Sequence, residues 1–206
     1  MSNRPDFSKY LAHFTSERPA ICEDEENPAK QYNGMSALEK LIGILNDKKI
    51  SASVMPWTGA RAVCFTECPW SSLLDHTTRY SPYGIGFEKG FVFSRNGSPV
   101  IYLRPDQYDK QEWHPHIIPF ITPFWPSYRP RSAKKEFKTC DYSHEREWRV
   151  PHDLHFEYNH ISFVTLSTYK DMAEFPRELK DAIGRDKFIL IDNYRNIENL
   201  WPVHIL

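Results

Sequence analysis

The segment TPFWPSYRPR (122–131) constrains this chain more sharply than any other ten residues. Three prolines deny it the interior hydrogen bonds of a helix, and each also pushes its preceding residue toward extended backbone. The segment therefore reads as an ordered surface loop whose aromatic rings pack downward, or as a gate over a pocket. Sixteen prolines and a 15% aromatic content across 206 residues extend that picture. They describe stiff loops joining short elements.

Between the loops, periodicity sorts the elements. YLAHFTS (10–16) reads as a strand, and the charged, proline-broken stretch 18–34 as an irregular loop. Ser36 followed three residues later by Glu39 is a capping-box start, and Leu38, Leu41, Ile42 and Leu45 then recur at helical spacing. ISASV (50–54), AVCFTE (62–67), YGIGF (83–87), GFVFS (90–94) and PVIYL (99–103) are strand-like. Asn96-Gly97 is a turn signal between the last two. A short helix is expected over SSLLDH after Pro69. WRVP and ISFVTLS (161–167) continue the strands, followed by a helical stretch near 168–183, the strand KFILID (187–192) and a helix around 193–199. Strands outnumber helices without alternating with them, so the fold class is mixed α+β rather than a doubly wound parallel sheet. The length suits one domain over residues 1–206.

The net charge of −1 supplies no overall attraction to nucleic acid or membrane. No apolar run reaches bilayer-spanning length, and MSNRPDFSKY lacks the apolar core of a signal peptide, so a cytoplasmic, membrane-free protein is expected. A local basic run lies at YRPRSAKKEFK (128–138), readable as a phosphate-facing patch or as a solvated loop. Four cysteines are too few for a disulfide framework. Cys64, Cys68, Cys140 and His144 have zinc-type ligand chemistry but loose spacing, and Cys64 sits in the apolar run AVCF, so no metal is assigned. P-loop, dinucleotide-binding, nucleophile-elbow and zinc-protease motifs are absent, and GIG at 84–86 lies inside a strand-like segment.

Three pieces carry polar chemistry on apolar strands. These are His13-Phe14-Thr15; Cys64-Phe65-Thr66-Glu67, with Tyr80 and Tyr83 downstream; and SHEREWRVP (143–151). If the last is a strand, Glu145, Glu147 and Arg149 share one face while Trp148 and Val150 enter the core. Two readings stand: a solvated strand face, or two carboxylates held in a cleft.

The order of a strand-borne His, an aromatic/hydroxyl strand and a late strand-borne Glu resembles the ADP-ribosyltransferase superfamily. HFT, ISAS, VCFTE and HEREWRVP more specifically resemble abortive phage-infection proteins of the AbiGi type, over roughly Leu11 to Val150. The resemblance implies a split β-sheet with NAD as substrate in its cleft. It hints that 88–95 is partly helical. It implies catalytic roles for Glu147, stabilising a ribose cation, for Glu145, serving the acceptor, and for His13. Cofactor contacts would come from His13, Thr15, Phe65, Thr66, Tyr80 and Tyr83. The acceptor would be nucleic acid or protein, and a cognate toxin or antitoxin would be the partner. The middle motif departs from the Ser-Thr-Ser of arginine-specific transferases. A non-catalytic antitoxin, sensor or binding module of the same fold is the alternative. A Glu147 locked by Arg146 or Arg149 beneath the Pro/aromatic segment would favour it.

Overall fold

A computed structural model describes residues 8–17, 31–67, 77, 80–127 and 139–200. Residues 18–30 of the irregular loop expected over 18–34, the helix over 71–76, the basic run 128–138 and WPVHIL (201–206) lie outside the described residues. The structure is mixed α+β, with several small sheets and six α-helices among the described residues.

In chain order, β1 (Tyr10–Phe14) leads to α1 (Ala37–Asp47), then β2 (Lys49–Ile50), β3 (Ser53–Val54) and β4 (Arg61–Phe65). β5 (Gly84–Glu88) runs directly into α2 (Lys89–Ser94), followed by β6 (Ser98–Pro99), β7 (Ile101–Leu103) and α3 (Pro105–Tyr108). β8 (Ile121–Pro123), β9 (Trp148–Val150), β10 (Leu154–His155) and β11 (Ile161–Leu166) come next. α4 (Tyr169–Glu174), α5 (Arg177–Ile183), β12 (Phe188–Leu190) and α6 (Ile191–Leu200) complete the order.

Two four-stranded sheets organise the molecule, ordered β1-β5-β11-β12 and β3-β4-β9-β6. All their pairings are antiparallel except β11 with β12. They meet where β1 passes the end of β4. There Ala12 and Thr66 exchange backbone hydrogen bonds, Ala12 N–H to Thr66 C=O at 3.0 Å and Thr66 N–H to Ala12 C=O at 2.8 Å. The two sheets share one core, in which Leu11, Ile85 and Phe87 from the first pack with Val63, Phe65 and Val150 from the second.

The capping box forms as the sequence requires: Ser36 Oγ accepts from Glu39 N–H, and the Glu39 carboxylate accepts from Ser36 N–H at 2.7 Å. Leu41, Ile44 and Leu45 are buried, while Leu38 and Ile42 pack against the core edge. Gly43 sits within this helix because a Cβ there would lie 2.8 Å from the ring of Tyr32. The glycines of GIG have a similar cause: a Cβ on Gly86 would meet the Phe163 ring at 2.2 Å. That segment is packing, not a phosphate cradle.

Three expectations need correction. GFVFS is helical, as the family resemblance hinted, because folding it back buries Val92 and lays Phe91 on Phe87 at 5.4 Å, leaving Phe93 outside. An alternating strand would have placed Phe91 and Phe93 on one face. Asn96-Gly97 accordingly ends a helix: Asn96 has φ 61° and Gly97 N–H donates to Val92 C=O. The stretch 168–183 divides into α4 and α5 because Phe175, preceding Pro176, is extended. ISASV splits so that β2 pairs with β10 and β3 with β4, with Ala52 N–H donating to the Asp153 carboxylate between them.

Candidate functional site

The opening between β1 and β4 is a cavity of about 630 Å³. Its walls include His13, Cys64, Phe65, Tyr80, Glu145, Glu147 and Arg149, joined by Trp57, Trp125 and Tyr142. Seven of the eight residues singled out from sequence line it, namely His13, Thr15, Phe65, Thr66, Tyr80, Glu145 and Glu147; Tyr83 does not. Tyr83 instead turns its hydroxyl to Asp171 on α4 at 3.2 Å, apart from the cavity lining where its cofactor contact was expected.

The expected continuous strand over 145–149 is a correction. Ser143–Glu145 is a 3₁₀ turn, Arg146 is left-handed at φ 46°, and the strand begins only at Trp148. The turn is held from across the junction: the Glu145 carbonyl accepts from Thr66 Oγ1 at 2.6 Å and from Glu67 N–H at 3.2 Å. Thr66 thus fixes the segment bearing Glu145. The Glu145 side chain is buried, and its carboxylate accepts from Tyr80 Oη at 3.2 and 3.3 Å. Burial, and then this carboxylate, push the Tyr80 phenol far above its ordinary pKa, so it stays a donor at neutral pH.

Glu147 is clamped. Arg149 donates from Nε and Nη2 to its two oxygens at 2.8 and 3.1 Å, and from Nη1 to the carbonyls of Pro119 and Ile121, each at 3.0 Å. Arg149 is only 6% exposed. Arg149 thus forms the lock on Glu147 that marks the binding-module alternative. The Pro/aromatic segment supplies the adjoining wall through Thr122, Pro123 and Trp125, with Trp125 buried and bridged to Cys140. Over the described residues 122–127, Thr122 and Trp125 are buried while Pro126 and Ser127 are exposed.

His13 is held by its Nδ1, 2.8 Å from the Cys64 carbonyl, with Phe65 edge-on at 5.9 Å. A carbonyl only accepts, so Nδ1 carries the proton and Nε2 is the acceptor of the neutral ring. Burial, only partly offset by that hydrogen bond, lowers the His13 pKa from 6.5. The unfolded chain therefore takes up a proton that the folded chain refuses. Stability is full above pH 6.5 and falls as pH drops toward the lowered value, by at most about 1.4 kcal/mol per pH unit from this group. Urea unfolding at pH 7 and pH 5 is expected to show that loss in the wild type and a smaller one in His13→Asn.

Thr15 is buried, its Oγ1 donating to Ala37 C=O at 2.7 Å, which ties the end of β1 to the start of α1. Burial, followed by the neighbouring Glu147, pushes the Cys64 thiol well up, and its Sγ lies 3.6 Å from Met55 Sδ. Cys140 Sγ faces the Pro123 carbonyl, and Cys68 lies outside the described residues. Among the described residues no group of three or more His, Cys, Asp or Glu is placed to hold a metal ion.

Sequence reasoning missed Glu67. This buried carboxylate accepts from Lys89 Nζ at 2.7 Å and Trp148 Nε1 at 3.0 Å, fastening β9 behind the cavity. Nothing in its local pattern marks that role, because its partners come from β9 and α2. The Trp57 and Tyr142 walls were missed too. Their segments carry turn residues, and only the fold brings them together.

A family model described as "Putative abortive phage resistance protein AbiGi, antitoxin" matches residues 38–122. The resemblance to AbiGi proteins thus holds over α1 to β8, including Phe65, Thr66 and Tyr80 but excluding His13, Glu145 and Glu147. Neither a curated protein nor a solved structure matches the chain. No helix among the described residues is long and apolar enough to cross a membrane.

Proposed function

We propose that this chain is the non-catalytic, antitoxin-like member of an abortive-infection pair, recognising a cognate toxin protein. The observation carrying this reading is the clamp on Glu147. A carboxylate that stabilises a ribose cation must bring uncompensated negative charge to it. Here both oxygens are held by a buried guanidinium that is itself anchored by two carbonyls. The description of the matched family as an antitoxin in phage resistance points the same way.

NAD also fits the described walls poorly. Its diphosphate calls for cationic donors, yet Arg149 is engaged by Glu147 and two carbonyls, and Lys40 donates to the Ser16 carbonyl. One observation favours the second reading, an NAD-consuming transferase: His13, Glu145 and Glu147 all line one cavity.

A paired experiment separates the two. The chain is co-expressed with a candidate cognate toxin that arrests growth on its own, and the purified protein is incubated with NAD while nicotinamide release is followed. Restored growth by both wild type and Glu147→Gln, with no nicotinamide released, is the expected result. Nicotinamide release that disappears in Glu147→Gln would overturn the antitoxin reading in favour of the transferase.

A further inference from the structure

We propose that the cavity binds a planar heterocycle bearing an amino group and no phosphate, of the nucleobase or nucleoside class. The proposal deepens the preceding reading and rests on it in one respect: the cavity recognises a ligand without transforming it. Its volume of about 630 Å³ is of the size that encloses a small organic molecule. Trp57, Trp125, Tyr80 and Tyr142 provide flat surfaces around it, suited to an aromatic ring.

The polar groups narrow the choice. On the acceptor side stand the buried Glu145 carboxylate, oriented by Tyr80, and the His13 ring, whose proton is fixed on Nδ1 by the Cys64 carbonyl. On the other side, Trp125 Nε1 and Ser51 Oγ are buried wall groups with no hydrogen-bond partner. A buried indole N–H without an acceptor costs free energy, and a ligand carbonyl or ring nitrogen would relieve that cost with a small adjustment of the wall. A base with an exocyclic amino group supplies both kinds of partner: N–H for Glu145 and acceptors for the indole.

The commitment of Arg149 then disfavours phosphate. The cavity carries the carboxylates of Glu145 and Glu147, while four of the five Arg149 N–H groups already face Glu147 and the Pro119 and Ile121 carbonyls. A phosphate placed there finds no uncommitted Arg149 fork to receive it.

The test is calorimetric titration of the full chain with guanosine, adenosine and cytidine, beside uridine and the matching 5′-monophosphates. At least one amino-bearing nucleoside is expected to bind, with uridine and its own monophosphate about tenfold or more weaker. Glu145→Gln is expected to weaken that binding by about tenfold and Trp125→Phe by severalfold. Absence of binding by all three nucleosides at 1 mM ligand (a ceiling of about −4 kcal/mol) would overturn the proposal. So would a monophosphate that binds more tightly than its nucleoside. Should Glu145→Gln fail to fold by circular dichroism, Trp125→Phe and the phosphate comparison decide. Growth rescue in the co-expression assay reports on the antitoxin reading independently, so failure of either is recognisable alone.

Discussion

Arg149→Met is expected to lower the unfolding free energy by about 3–5 kcal/mol, measured by urea denaturation at pH 7. The substitution preserves much of the side-chain volume but strands Glu147 and removes the donor shared by the Pro119 and Ile121 carbonyls. Glu147 has a side-chain exposure of 12%, too little for water to take over the guanidinium's role. The control is the double variant Arg149→Met/Glu147→Leu. Because breaking a buried pair costs more than replacing both partners, the double variant should recover much of the single variant's loss. A loss below about 1 kcal/mol in Arg149→Met would show the pair to behave as a surface ion pair. It would also remove the main support for a non-catalytic cavity.

Phe87→Ala carries a comparable expectation, about 3–5 kcal/mol, for a different reason. Phe87 is fully buried on β5 and touches three rings: Phe65 edge-on at 6.2 Å, Phe156 edge-on at 5.2 Å and Phe91 stacked at 5.4 Å. These come from β4, the approach to the turn before β11, and α2. Deleting the ring leaves a void at the seam where both sheets share their core, and close packing prevents its complete collapse. Thermal melting would register the loss, with Phe87→Leu intermediate. Melting of Phe87→Ala at the wild-type temperature would mean the seam repacks freely.

How much of this was legible beforehand depends on how local each signal is. The α1 capping box lies within four residues and was readable in full, as was the apolar stripe behind it. The strands holding His13 and Phe65 were readable from apolar runs, and so was the mixed fold class. The failures involve long-range packing. GFVFS has strand-like composition, but Phe91 and Val92 find the core by folding back after β5. SHEREWRVP has strand-like alternation, but Thr66 and Glu67 pin the Glu145 carbonyl in a turn before the strand starts. Both glutamates nevertheless line one cavity, because the turn carrying Glu145 and the residue just before β9 present them to the same side. Tyr83 could be placed beside Tyr80 by position alone, but its hydroxyl goes to Asp171, 88 residues later.

The junction between the sheets has a kinetic consequence. His13 meets the Cys64 carbonyl across 51 residues, Thr66 meets the Glu145 carbonyl across 79, and Trp148 meets Glu67 across 81. Contacts so far apart along the chain must close large loops before any of their energy is returned, and such topologies fold slowly. During synthesis, β1 and β4 emerge long before Glu145, Trp148 and Arg149 exist to complete the cavity. The cavity is therefore incomplete in the nascent chain until β9 has left the ribosome and docked between β4 and β6.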